Sequence, residues 1–425
     1  MTQTVLEPFW VDDRPRSDQL AAGSDLPESC DVAVVGSGIT GLAAARRFLA
    51  AGRSVAVLDS LELVGGASAV NGGMVIYGLK ASAKSVYSDY APGLAKEFWE
   101  ASMRAIDVVE EIATGIDCDF SRCGSLELGY TGRDVNLLHH EREWHRQSTG
   151  LEFEFHSRDS IRSVIGSDRF SAGLTEKHSA GLHPAKFTFG LAEQLMQEGA
   201  WLVPHAAVES IERSGGGFTL RTGRGVLKTG QVLVATNGYT ENLVPGLRRG
   251  VIPIGSYSAV TEPLPLELAE RLIPGNRMAW TARRFLNYFR RTPDNRILMG
   301  GRQNLSPDLD LTASGKDLGR RIVEFFPELE DVPISHVWNG RLAATFDMMP
   351  HIGCLDGIWY ALGYGGHGLG LGAYLGDEAA RLITGELERS PFAEIDHPGR
   401  WYYRNRPWFL PAAAIGYRIL DRFSR

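Results

Sequence analysis

One contiguous stretch limits the folds open to this chain more than any other. It runs CDVAVVGSGITGLAAARRFLAAGRSVAVLDS, from Cys30 to Ser60. Val32 to Val35 is an apolar run ending on a glycine, the pattern of a strand buried on both faces in a parallel sheet. Gly36, Gly38 and Gly41 then spell GxGxxG. The first glycine permits a tight turn, the second lets backbone approach a pyrophosphate, and the third lets helix and strand pack closely. Ser37, Ile39 and Thr40 lie inside this turn. Leu42 to Ala51 is rich in strong helix formers and predicts a helix that stops at Gly52. Its start would aim free N–H groups and a positive dipole end at phosphates. A second strand, SVAVLD, ends at Asp59, 18 residues beyond Gly41, with Ser60 next. That is the place of an acid that binds ribose hydroxyls, and an acid rather than an arginine disfavours NADP. Taken alone, the stretch serves NAD or FAD equally.

The next segment separates the two. LVGGASAVNGGMV, Leu63 to Val75, is a second Gly-rich run, containing Gly66, Ala67, Ser68, Asn71, Gly72, Gly73 and Met74. A cofactor whose pyrophosphate continues into a flavin needs this further close approach of backbone, and NAD does not. VLVATNGYT is a strand running into a turn at Ala235, Thr236 and Asn237. GIWYALGYGGHGLGLGAYLGDEAARLITG, Gly357 to Gly385, is again strand, Gly-rich loop and helix, and carries Gly363, Gly366, His367, Gly368, Leu369 and Gly370. A helix N-terminus beside the flavin N1–C2=O edge stabilises the negative charge of reduced flavin.

These motifs together resemble the D-amino-acid-oxidase-like (DAO) superfamily of FAD oxidoreductases, which includes glycine and sarcosine oxidases. Within it the chain is most similar to the γ-glutamylputrescine oxidase group. The resemblance rests on GASAVNGG at Gly66–Gly73, WNGRLAATFDMMPHIG at Trp338–Gly353, GHG at Gly366–Gly368 and PWFLPAAAIGYRILDRF at Pro407–Phe423. Members usually have GASGRNGG where this chain has Ala69 and Val70, so an arginine beside the flavin is missing.

The resemblance implies an α/β fold, with a discontinuous Rossmann-like FAD-binding domain and a substrate domain built on a mixed or antiparallel β-sheet. The expected segments are 1–84, 156–244 and 336–425 for FAD, and 85–155 and 245–335 for substrate. The insertion at 85–155 includes the amphipathic run EFWEASMRAIDVVEEIA. Residues 245–335 hold β-type runs such as VIPIGSYSAVTEP and FLNYFRRT. Val208 is expected to touch the adenine through its backbone, and FAD is expected to be held without a covalent bond, because the position of the linking cysteine in some relatives falls near Gly340.

Composition narrows the partners. The chain has 425 residues, 44% apolar and 22% charged, with a formal net charge of -7. That balance gives no field for binding nucleic acid. The start has no signal-peptide pattern and no apolar run approaches a membrane span, so a cytoplasmic location is expected. Cys30, Cys118, Cys123 and Cys354 are scattered, which suits reduced thiols rather than a disulfide or metal framework. No spacing of His, Asp or Cys suggests a metal site. His183 and His351 border apolar strands and read as structural. The aromatic and basic tail from Trp401 reads as a packed C-terminal segment rather than a membrane contact.

The chemistry implied is amine oxidation, in which hydride passes from the α-carbon to flavin N5, the imine is hydrolysed to an aldehyde, and O2 or another acceptor takes the electrons. A γ-glutamyl-polyamine or other N-substituted amine is the expected substrate. Amino-acid oxidases of the superfamily bind the α-carboxylate with an arginine just after WxG, and that position falls on Leu342. Arg341 is one step earlier and faces the other way on a strand. An oxygen-activating lysine of the sarcosine oxidases falls on Leu298. His367 is expected to contact flavin or substrate, or else to bond backbone behind them. Tyr257 and Tyr288 are candidates to wall the pocket, although aromatic residues on strands also pack cores. Arg302 is a candidate for a distal carboxylate, or a solvated strand end. The competing chemistry is a dehydrogenase of the same fold that delivers electrons to a quinone or respiratory chain.

Overall fold

Val32–Val35 and Val55–Leu58 are buried along their length, as strands covered on both faces must be. The computed structural model describes residues 4–283, 285–301, 306, 308–404, 407–412 and 416. In it, those two strands lie at the centre of an eight-stranded sheet. Its order is His351–Leu355, Ile358–Leu362, Gly225–Val234, Ser29–Val35, Val55–Leu58 and Trp201–Val203, with Gly217–Thr222 and Val208–Ser214 added as an antiparallel hairpin. The five strands from Ile358–Leu362 to Trp201–Val203 run parallel. Helices Ile39–Ala50 and Gly370–Thr384 pack closely against each other, and a Cβ at Gly376 would lie 2.2 Å from the Thr40 carbonyl oxygen. The amphipathic run of the first insertion forms helix Pro92–Ala113, with Phe98, Trp99, Ala105, Ile106, Val109 and Ile112 buried at three- and four-residue spacings.

The helix after GxGxxG starts at Ile39 rather than Leu42, because Gly38 takes the extended N-cap position. Gly41 therefore sits inside the first turn. A Cβ there would lie 2.0 Å from the Gly36 carbonyl oxygen, so only glycine fits.

A second eight-stranded sheet covers one end of the first. Its order is Ile334–Ala344, Ile252–Thr261, Ile297–Gly301, Tyr288–Arg291, Met278–Thr281, Ser125–Gly129, Ala172–Glu176 and Glu154–His156. All neighbours are antiparallel except Met278–Thr281 with Ser125–Gly129. Strands Ala172–Glu176 and Ile334–Ala344 join this sheet although they lie beyond the boundaries expected at 155 and 335. Those boundaries followed composition, whereas sheet membership follows strand pairing.

Register partners in this sheet share a face. Trp338, Ser258, Gly300, Tyr288, Trp280 and Glu127 are successive partners, so they form one row across six strands. The row faces the first sheet. The opposite face, with Tyr257, Met299, Phe289 and Val337, packs on helix Leu311–Phe325 through Leu318, Ile322 and Phe325. The N-terminal segment ties the second sheet to the start of helix Pro184–Gln197. Asp12 meets His336 at 3.1 Å, and Asp13 meets His183 at 3.0 Å. Arg290, 2% exposed, donates to the carbonyls of Gly73 and Leu182 at 2.7 and 2.8 Å.

Candidate active site

A cavity of about 770 Å³ runs between the two sheets. That volume lies within the range of cofactor and ligand sites. One end is built by the glycine turn. Ser37 donates to Asp59 Oδ2 through its backbone N–H at 2.8 Å and its hydroxyl at 2.5 Å, and the Leu61 N–H donates to Oδ1 at 3.0 Å. Asp59 thus shapes the turn and also borders the cavity. The Ile39 N–H at the helix start donates to Ser68 Oγ at 2.9 Å, which brings the second Gly-rich segment against the first.

The middle of the cavity is made by that segment and the last Gly-rich loop. Asn71 accepts from the Gly73 N–H at 2.9 Å and donates to the Ser68 carbonyl at 2.7 Å, an Asx turn that fixes the loop. The Trp338 indole donates to the Val70 carbonyl at 2.7 Å. Asn237 accepts from the Gly363 N–H at 3.0 Å, and Tyr364 bonds Thr40 at 2.8 Å. Gly366 has φ +118°, and a Cβ there would meet no protein atom within 4 Å, so its backbone faces open space in the cavity. Beside it, His367 Nδ1 is buried and has no hydrogen-bond partner among the described residues. Burial, with a smaller effect of the Lys80 ammonium, lowers the His367 imidazole to about 4, so the ring is neutral near pH 7.

Most of the expected positions converge here. Gly36, Gly38, Ile39, Thr40, Asp59, Ser60, Gly66, Ala67, Ser68, Asn71, Gly72, Met74, Val208, Ala235, Thr236, Asn237, Gly366, His367, Gly368 and Leu369 all border the cavity, as does Tyr288. Ser37, Gly41, Gly73, Gly363 and Gly370 are not on its surface and support it from behind. Ser37 holds Asp59, Gly73 is held by Arg290, and Gly363 is held by Asn237.

Tyr257 is a correction. It is 1% exposed, points to the helix-covered face, accepts from the Leu309 N–H at 2.7 Å and donates to the Ser306 carbonyl at 3.2 Å. Strand alternation puts its neighbours Ser256 and Ser258 on the cavity instead, each 3.2 Å from the Tyr288 hydroxyl. Arg302 lies outside the described residues.

Leu342 pairs with Ile254 in register and Arg341 with Gly255, so Leu342 shares the face of Ser256 and Ser258 while Arg341 shares that of Tyr257. Both border the cavity, but the Arg341 guanidinium is 5.5 Å from the centre of the Tyr239 ring and 3.9 Å from Asp308. Leu298 is fully buried and does not border the cavity. His183 caps helix Pro184–Gln197, and His351 bonds Asp347 at 3.2 Å, both structural roles.

The far end was not anticipated. Tyr77, Trp99, Trp280, Glu127, Glu141 and His145 close the cavity there. Burial and then the charge of Glu141 push the Glu127 carboxyl well above its ordinary range, and a Trp280 hydrogen bond acts in the opposite direction. Burial also raises Glu141 and lowers His145 to about 4. The available signal was SLELG, where an acid stands between two strand leucines.

None of the four cysteines borders the cavity, and all are free thiols. Among the described residues, no group of three or more His, Cys, Asp or Glu side chains converges to hold a metal ion. No described helix is long and apolar enough to cross a membrane. The glycine-walled cleft, the helix start at Ile39 and the unpartnered His367 nitrogen fit an extended dinucleotide such as FAD.

Residues 31–382 match the family DAO, FAD dependent oxidoreductase. The gamma-glutamylputrescine oxidoreductase of Escherichia coli is 30% identical over 93% of this chain and 94% of its own. Glycine oxidase from Geobacillus kaustophilus superposes with a TM-score of 0.74 at 20% identity, covering 88% of this chain and all of that one. The L-proline dehydrogenase from P. horikoshii gives 0.71 at 20% identity, covering 90% and 98%. With the cleft, the two-sheet fold and these matches in agreement, the chain belongs to the DAO family of FAD-dependent oxidoreductases.

Proposed function

We propose that the protein oxidises the C–N bond of an amine that lacks an α-carboxylate, of the γ-glutamyl-polyamine or another N-substituted class. The observation that carries this reading is Leu342. It shares the strand face of the cavity-lining Ser256 and Ser258, at the position where the resemblance puts a carboxylate-binding arginine, and Arg341, which also borders the cavity, is engaged with Tyr239 and Asp308. The name of the Escherichia coli relative supports the amine class.

FAD supplies the acceptor for a hydride from the substrate carbon. The protein's share is to hold the cofactor, orient the amine and exclude water. The turn at Gly36–Gly41 and the helix starting at Ile39 would hold the diphosphate. The loop Tyr364–Leu369 and the segment Gly66–Met74 would hold the flavin, and no cysteine among the described residues borders the cavity to attach it. Tyr288, steadied by Ser256 and Ser258, forms the wall against which the amine is placed. His367 is neutral and can accept a hydrogen bond from an N–H group without repelling an ammonium. The amine loses a hydride and a proton to become an imine, and water converts the imine to an aldehyde and ammonia or an amine. O2 accepts the two electrons and two protons to give H2O2.

Anaerobic mixing of the holoprotein with polyamines, γ-glutamyl amines, N-methyl amino acids and D-amino acids tests the reading. Rapid flavin bleaching by amines without an α-carboxylate is expected, with one peroxide formed per amine in air. Preference for a free α-amino acid would overturn it. Rapid dye reduction without peroxide would replace O2 by another acceptor.

A further inference from the structure

The closed end of the cavity has a composition that the cofactor does not explain. Glu127 stands at the end of the row that begins at Trp338, directly beside Trp280 and two strands from Tyr288. Glu141 comes from helix Gly132–Ser148 and borders the same recess. Tyr77 supplies a third wall, with its ring centre 5.8 Å from that of Trp99 and 6.2 Å from that of Trp280. Two acidic side chains in a recess lined by three electron-rich rings suit a cation, which would draw the carboxyls into their charged form.

Nothing in the described protein answers that attraction. Neither carboxylate pairs with a lysine or arginine among the described residues, and the one basic group within 4 Å of Glu141 is His145, at 3.9 Å. His145 is kept neutral by burial. A second, separate observation concerns Trp99. It is 6% exposed and borders the cavity, yet its indole N–H has no acceptor among the described residues. The recess thus offers two acidic side chains with no cationic partner, and an indole donor open to an acceptor elsewhere on a polar ligand.

We propose that the recess formed by Glu127, Glu141, Tyr77, Trp99 and Trp280 binds a second ammonium group of the amine substrate. This rests on the amine-oxidising reading above and adds which amines are preferred. Glu127 is two strand spacings, about 10 Å, from Tyr288. The preferred substrate therefore carries a cation several bonds away from the oxidised C–N bond. A free diamine or polyamine presents such a group at its far end, and a γ-glutamyl amide presents one as its α-ammonium. In the free protein the two carboxyls hold protons more tightly than usual, and an arriving cation displaces one.

The test uses FAD-loaded protein and compares diaminohexane with hexylamine, reading binding by the perturbation of flavin absorbance and turnover by anaerobic bleaching. The diamine is expected to bind at least about tenfold more tightly, as expected for a buried charge pair. Glu127→Gln is expected to bring the diamine-to-monoamine ratio close to one. Equal binding of the two amines by the parent protein would overturn the proposal, as would a ratio that survives Glu127→Gln. If Glu127→Gln does not load FAD, Glu141→Gln carries the same comparison from a helix rather than a buried strand. If the diamine binds with this dependence but no amine bleaches the flavin, the oxidation reading falls and the cation subsite stands. A γ-glutamyl amide with and without its α-amino group separates the two sources, since the deletion costs affinity only if that ammonium occupies the recess.

Discussion

The indole N–H of Trp338 donates to the backbone carbonyl of Val70 across 2.7 Å. This one bond fastens the row on the second sheet to the Gly-rich segment that borders the cavity. The Trp338→Phe variant keeps a ring but leaves the Val70 carbonyl without its donor. Loss of a buried bond of this kind costs about 1–3 kcal/mol. FAD affinity should fall about tenfold or more, read by flavin fluorescence titration of the stripped protein. Unchanged affinity would show that the segment is held by other contacts.

Gly41 and Gly52 make a matched pair of substitutions. At Gly41 a Cβ would lie 2.0 Å from the Gly36 carbonyl oxygen, so Gly41→Ala must move backbone in the turn Gly36–Gly41. A loss of about 3 kcal/mol or more is expected, together with loss of bound FAD. At Gly52, with φ +71° and nothing within 4 Å of a Cβ, Gly52→Ala should cost only about 1 kcal/mol of backbone strain and leave FAD bound. Urea denaturation and the flavin-to-protein absorbance ratio of each variant measure both effects.

Tyr257 and Tyr288 should part company on mutation. Tyr257→Phe removes the acceptor of the Leu309 N–H, on the face away from the cavity, and should lower stability by about 1–3 kcal/mol without altering the substrate KM. Tyr288→Phe releases Ser256 and Ser258 beside the cavity and should change KM or the flavin reduction rate with a smaller effect on stability. Steady-state kinetics and denaturation of the two variants make the comparison, and a KM effect confined to Tyr257→Phe would reverse the assignment.

Stability should decline on mild acidification. His145 and His367 are held at about 4 when folded, against an ordinary 6.5. The unfolded chain therefore takes up protons first, so the contribution of these groups to stability is full above about pH 6.5, falls as pH drops toward 4 and levels off below that. Glu127, raised in the folded state, acts oppositely and costs stability as pH rises through its folded value. His145→Phe should flatten the fall in urea midpoint between pH 7 and pH 4.5. An unchanged slope would mean that His145 is not kept neutral by its burial.

The cofactor cleft was legible because its parts are local. Gly36, Gly38, Asp59, Gly66 and His367 each sit in a short run whose spacing carries its own geometry, and they border one cavity. The substrate side was less legible because it depends on pairing between strands far apart in sequence. A one-residue difference in parity sends Tyr257 to the helix and Ser256 to the cavity, and no local pattern around Tyr257 records which. Glu127 shows the same limit. Between Leu126 and Leu128 it reads as an ordinary outward-facing acid, and only the packing of helix Gly132–Ser148 and Tyr77 around it closes that side into a recess.

The row from Trp338 to Glu127 also behaves as a graduated scale. Its positions are set by the sheet at intervals of about 4.8 Å, and no side chain can shift them individually. Chain-length selectivity in this enzyme should therefore change in jumps. Moving the carboxylate from position 127 to 280 shortens the reach from Tyr288 by one full interval, the length of about four carbon–carbon bonds. The spacing between strands of one sheet would thus be the unit in which this protein measures its substrates.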